Sequence, residues 1–164
     1  MDKTKKYEGF RKNVYRDSVG VKTIGSGINL QEKHNQKILP KDVVSGKRAI
    51  TPEEDEKAFE ANQAIADKDA RNFVGENYDN LDPEAQSVIK DMHYNMGAPR
   101  MKSFVKLQAA AKAGDYDGMA NEIQKSKYAK QVGSRAQDHI DALRNIKKQK
   151  DTEAELVRQI RPNG

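Results

Sequence analysis

Apolar residues recur at two spacings along this chain, and the change between them marks out its elements. Tyr7 and Phe10 lie three apart in a polar opening segment, compatible with one or two helical turns. From residue 14 to 27 the character changes, with the strand formers Val14, Tyr15, Val21, Thr23 and Ile24 punctuated by Gly20, Gly25 and Gly27. Asp17-Ser18-Val19-Gly20 has Asp at the first and Gly at the fourth position of a type I turn, so this segment is predicted to be a hairpin. Residues 28 to 50 are polar and uneven, broken by Pro40 and Gly46, and are expected to form a loop or weak β-structure.

Helical grammar takes over at Thr51. Thr51 is a candidate N-cap, Pro52 suits the first helical position, and Glu54 completes a Thr-x-x-Glu capping box. The helix is expected to run to about Val74, with a thin apolar stripe of Ala58, Phe59, Ala61, Ile65 and Phe73. A long helix that is polar on most sides suits a bridge between two lobes. Asp82-Pro83 starts a second capped helix, carrying Ala85, Val88, Ile89, Met92 and Met96 on one face and broken by Gly97 and Pro99. Met101, Phe104 and Val105 open a helix ending near Gly114. Tyr116, Met119 and Ile123 mark a short one, Ala136, Ile140 and Leu143 another, and Leu156, Val157 and Ile160 a last amphipathic turn or two. The expected fold class is α+β in a single domain spanning 1–164: a small hairpin lobe over about 12–50, a bridging helix over about 52–74, and a helical lobe over about 78–164.

Composition narrows the function. The 164 residues suit one domain, and 35% hydrophobic content with a mean hydropathy of −0.98 demands an economical core. Charged residues reach 34%, but the signs are mixed and the helical spacing holds, so the chain reads as folded rather than disordered. With no cysteine there are no disulfides or thiolate metal sites. His34, His93 and His139 lack metal-ligand spacing and are expected to be ordinary surface or cleft residues, so neither metal nor cofactor is expected. No signal-like stretch opens the chain and no run is long enough to span a bilayer, so synthesis in a cytoplasm without stable membrane insertion is expected. A net charge of +5 favours polyanionic partners only weakly. Lys and Arg are spread along the chain rather than interleaved with aromatics, which disfavours nucleic acid.

Two carboxyl groups in different environments are the requirement for cleaving a glycosidic bond, one held protonated and one ionised. Glu8 lies near the C-terminal end of the first expected helix, where the dipole disfavours a negative charge. Asp17 lies in the hairpin turn, where free N–H groups and water would stabilise its carboxylate, and Thr23 across the hairpin could hold a water beside it. Taken singly, each residue is equally well explained as surface, turn or strand chemistry.

Together they match a pattern. Glu8-Gly9-Phe10-Arg11, Tyr15-Arg16-Asp17, Gly20 and Thr23-Ile24-Gly25-Ser26-Gly27 resemble the phage-type lysozymes of glycoside hydrolase family 24, in which Glu, Asp and Thr follow one another at this spacing. The resemblance continues through Met92-His93-Tyr94-Asn95-Met96-Gly97 and through Ser126-Lys127-Tyr128, Gln131 and Ser134-Arg135-Ala136. It implies a lysozyme-like fold and a muramidase that cuts peptidoglycan at its β-1,4 bonds. It further implies Glu8 as general acid, Asp17 as the carboxylate that activates water and Thr23 as the third active-site residue. Tyr94, Asn95, Gln131 and Arg135 then fall at cleft or supporting positions, with Arg135 near Glu8. A monomeric enzyme of phage origin is expected, serving host lysis from the periplasmic side or wall penetration from the virion. In the first case a separate membrane-permeabilising partner would release it. A catalytically inactive wall-binding module is the rival reading, disfavoured because all three catalytic residue types are intact.

Overall fold

The computed structural model describes residues 3–160, and it assembles around two apolar cores that share one helix. A short helix α1 (Lys3–Glu8) leads into an antiparallel sheet of β1 (Arg11–Arg16), β2 (Lys22–Gly25) and β3 (Ile28–Asn29), in that spatial order. The turn predicted at Asp17 forms, with the Gly20 N–H donating to the Asp17 carbonyl at 3.0 Å. Tyr15 faces Thr23 and Arg16 faces Lys22 across the ladder, and an irregularity between Arg11 and Tyr15 bends β1.

The stretch expected to be loop or weak β-structure holds the short strand β3 at its start and is corrected beyond it. After β3 it holds two short helices, α2 (Lys33–Ile38) and α3 (Lys41–Val44). Their apolar residues are few, but Leu39 and Val43 join Ile24, Ile28, Leu30 and Ile50 in the small-lobe core. Burial by neighbours supplied the order that the local pattern lacks.

Helix α4 (Pro52–Val74) has the predicted start and stop: the Thr51 hydroxyl accepts from Glu54 N–H at 3.2 Å while Glu54 Oε1 accepts from Thr51 N–H at 3.0 Å. Ala58 near its beginning belongs to the small-lobe core; Ala70, Phe73 and Val74 at its end belong to the other. One rigid element therefore serves both lobes. A 3₁₀ segment (Gly75–Asn80) leads to α5 (Pro83–Met96), capped by Asp82 as expected. Met101 closes a one-turn helix, α6 (Ala98–Met101), rather than opening the next, which is α7 (Val105–Ala113). Then come α8 (Tyr116–Lys125), α9 (Lys127–Val132), absent from the sequence reading, and α10 (Ser134–Ile160).

Helix α10 also corrects an expectation. Its 27 residues run continuously from the core-facing Ala136, Ile140 and Leu143 to the chain's last apolar residues. Leu156, Val157 and Ile160 are 52%, 54% and 77% exposed and form no packed amphipathic turn. Every residue from 151 to 160 is exposed. What anchors this end is local, chiefly an ion pair of Lys147 with Asp151, worth little at a surface. Deleting residues 151–164 is therefore expected to leave the thermal midpoint within about 2 °C of the full chain, checked by calorimetry.

Candidate active site

The cleft between the lobes has a volume of about 570 Å³, and Glu8, Asp17, Thr23, Tyr94, Asn95 and Arg135 all line it. Glu8 is the last residue of α1, which packs on α5 of the helical lobe, so its side chain enters from the lobe boundary. The side chain is 13% exposed. Its Oε1 accepts from Arg135 Nη1 at 2.8 Å and, more weakly, from Asn95 Nδ2 at 3.5 Å. Among the described residues no donor reaches Oε2. Burial raises the Glu8 pKa above the ordinary carboxyl value, and the Arg135 charge and hydrogen bond only partly offset this. The expected direction holds, but burial is the leading cause, not the helix end.

Arg135 arrives from the first turn of α10 and is buried, as is Asp91 on α5. The two form a fork: Arg135 Nε reaches Asp91 Oδ2 and Nη2 reaches Oδ1, both at 2.8 Å. His139 Nε2 lies 2.7 Å from Asp91 Oδ2, and Thr4 Oγ1 donates to Oδ1 at 2.5 Å. Burial alone would raise the Asp91 pKa, yet the hydrogen bonds of His139 and Arg135 outweigh it and hold the group well below the ordinary range. Tyr7 closes the cluster, its ring 5.1 Å from the Arg135 guanidinium and its hydroxyl donating to Asp138 at 2.8 Å.

On the small-lobe side, Asp17 Oδ1 accepts from the N–H of Val19 at 3.0 Å and of Val21 at 2.8 Å. Among the described residues no donor reaches its Oδ2. The buried Thr23 donates its hydroxyl proton to the Val21 carbonyl at 2.8 Å, which leaves its lone pairs free to accept.

Two glycines make room at the β2–β3 turn. Gly27 has φ +74°, and a Cβ there would lie 2.3 Å from Glu8 Oε2; Gly25 has φ +61°, and a Cβ there would lie 2.1 Å from Asp55 Oδ1. Between them Ser26 is fixed by the buried Asp55, whose two oxygens accept from Ser26 N–H at 2.7 Å and Ser26 Oγ at 2.6 Å. The Ser26 carbonyl in turn accepts from the Tyr94 hydroxyl at 2.6 Å, tying α5 to the sheet.

Gln131 is the one predicted site residue that the structure does not bring to the cleft lining: it is exposed, with Oε1 3.4 Å from Arg100 Nη2. His34 and His93 do line the cleft, whereas His139 is buried on Asp91 and is not a surface residue. Sequence reading missed Asp91, His139, Thr4 and Asp55. It also missed Ile65 and Asp69, which line the cleft from α4; Ile65 is 40% exposed there rather than part of a buried stripe. A signal for the first two exists. Asp91 interrupts the apolar face of Val88 and Met92 and lies four residues before Asn95, while Arg135 and His139 lie four apart on α10.

The sequence profile of a family described as Phage lysozyme matches residues 5–150, so the chain belongs to the phage lysozyme family. Among curated proteins, none matches the chain in sequence. Family membership makes the protein a muramidase-type peptidoglycan hydrolase acting on the bacterial cell wall. The matched region stops where α10 leaves the helical lobe, and the exposed end of that helix lies beyond it.

Gly20 and Gly27 both have positive φ, but a Cβ at Gly20 meets nothing within 4 Å. Gly20→Ala should therefore cost only the backbone strain, about 1–2 kcal/mol. Gly27→Ala should lose about 1–3 kcal/mol more, because Glu8 must move. Chemical denaturation of both variants, with lytic assays alongside, checks this; activity should fall in Gly27→Ala alone.

Proposed function

We propose that the enzyme hydrolyses the β-1,4 bond between N-acetylmuramic acid and N-acetylglucosamine with inversion, Glu8 acting as general acid and Asp17 as general base. The observation that carries this reading is the asymmetric capping of the two carboxyl groups. Glu8 Oε1 takes both donors offered by the helical lobe, so a proton on the group belongs on Oε2, against the bare Cα of Gly27. Burial favours that protonated form. A glycosidic oxygen held beside Oε2 receives the proton as the bond breaks.

Asp17 has the complementary arrangement. With Oδ1 saturated by two backbone N–H groups, Oδ2 is the atom left to accept a proton from water. Thr23 has already given its own proton to Val21 and so acts toward water as an acceptor. A water that donates one hydrogen to Asp17 Oδ2 and the other to Thr23 Oγ1 directs its lone pair away from both, toward the anomeric carbon. Removal of its proton by Asp17 accompanies attack on the face opposite the leaving group, which inverts the centre. Ile65, exposed within the cleft, offers an apolar surface to a sugar face, while Tyr94 and Asn95 border the same space. The wall as substrate supports a role in host lysis or wall penetration by a phage. No helix among the described residues is long and apolar enough to cross a membrane.

Glu8→Gln keeps the side-chain shape and removes the transferable proton. Lytic activity is expected to fall by about 10²–10⁴-fold with the circular dichroism spectrum unchanged. A variant within a few-fold of wild type on chloroform-treated Gram-negative cells would exclude Glu8 as the acid. Stereochemistry tests Asp17 separately. Proton NMR early in the digestion of β-linked glycan, before mutarotation, should show the α-anomer as first product; a β-anomer would rule out the water-activating role.

A further inference from the structure

The buried cluster behind Glu8 contains more than a salt bridge needs. Asp91 receives four hydrogen bonds on two oxygens, from three residues of α1 and α10, and two of the four come from Arg135 alone. Arg135 has only Nη1 left for Glu8. We infer that Asp91 is a positioning residue of the reaction, clamping Arg135 through a two-bond fork and balancing the guanidinium charge beside Glu8. This role rests on Glu8 being the acid, as proposed above.

The physical case concerns where charge resides. A cation 2.8 Å from a carboxyl group stabilises its ionised form and opposes its use as an acid. A fork to a second carboxylate holds the guanidinium in plane and supplies a compensating negative charge at the same distance. The two charges act on Glu8 in opposite directions, Arg135 favouring its ionised form and Asp91 disfavouring it. With Glu8 protonated, Arg135 and Asp91 form a balanced ion pair; with Glu8 ionised, two buried carboxylates share one guanidinium. Asp91 thus offsets part of the pull of Arg135 toward the ionised form, so that burial can hold Glu8 as an acid with a donor still fixed on Oε1.

Other groups around Glu8 are neutral or more distant contributors. Tyr7 precedes it on α1, with Asp138 on its hydroxyl. Tyr15 faces it from β1 with Arg11 stacked on its ring, Asp17 stands in the turn, and Asn95 lies on α5. Tyr128 reaches toward the cluster from α9, and His139 touches Asp91 rather than Glu8. The tyrosine groups at 7, 15 and 128 are all shifted upward by burial and stay neutral where the acid works.

The readout is the alkaline limb of the kcat/KM profile on purified peptidoglycan, because a general acid loses activity as pH rises through its pKa. Asp91→Asn leaves Arg135 uncompensated, so the Glu8 pKa falls and the limb should move to lower pH by about one unit or more. Arg135→Gln removes the cation and should move the limb to higher pH. The double variant Asp91→Asn/Arg135→Gln removes both members of the buried Asp91–Arg135 pair, so neither is left without the other, and its limb should return from the Arg135→Gln position toward wild type. Thr4→Val removes one donor from Asp91 without changing charge. It should lower the melting temperature and leave the limb in place. A limb in folded Asp91→Asn that coincides with wild type overturns the role, as does a double variant that coincides with Arg135→Gln. Full activity in Glu8→Gln would remove the acid itself, a distinct failure that no shift of the limb can mimic.

Discussion

A guanidinium buried between two carboxyl groups is the constraint around which this molecule is organised. Arg135, Asp91 and Glu8 come from α10, α5 and α1, and the pairs they form join residues 127 and 44 positions apart. Removing such charges from water is costly, and only close geometry with further hydrogen bonds offsets the cost. Thr4 and His139 supply those bonds. The short first helix is consequently fixed against the helical lobe by polar contacts, although the sheet that follows it belongs to the other core.

The two lobes are related by different physics. Each has its own apolar cluster, and α4 contributes to both. Between the clusters the contacts are directional: Tyr94 to the Ser26 carbonyl, Asp55 to Ser26, and Glu8 to Arg135 and Asn95. Asn62 on α4 adds a link to Asn35 of the small lobe at 2.7 Å. A continuous apolar seam here would fill the cleft. Hydrogen bonds fix the spacing of the walls while leaving polar space for a sugar chain.

Legibility in the sequence follows how local each determinant is. The α4 cap, the Asp17 turn and the Asp82-Pro83 start are decided within four residues, and the structure has them where the spacing predicts. Glu8, Asp17 and Thr23 stand out because their spacing sits in a motif, and all three line one cleft. Helices α2 and α3 were invisible because they have little apolar periodicity of their own and are held by residues elsewhere in the chain. Leu156, Val157 and Ile160 misled in the opposite way: a correct helical spacing has no partner surface to meet. Gln131 matched its motif, yet its side chain turns toward Arg100 and solvent. Asp91 is the deeper omission, since its partners lie on two other helices at opposite ends of the chain and a single buried carboxylate looks like any other charge until the fold closes over it.

Capping by protein donors also separates the chemistry proposed for the two carboxyl groups. Backbone N–H groups in a turn leave Asp17 open to water on its other oxygen, with no buried cation among the described residues to define its position. Glu8 is confined on the opposite terms, with a side-chain cation on Oε1, an apolar approach on Oε2, and burial as its leading perturbation. An acid that must hold a proton beside a guanidinium needs that guanidinium's charge to be engaged elsewhere. The geometry of Arg135 meets this need, with two of its bonds directed to Asp91 and one to Glu8. A lysine at 135 could supply the charge but not the fork, because its single ammonium centre cannot hold two planar contacts on one carboxylate while reaching a second. The choice of arginine is thus set by the need to brace and to neutralise at once.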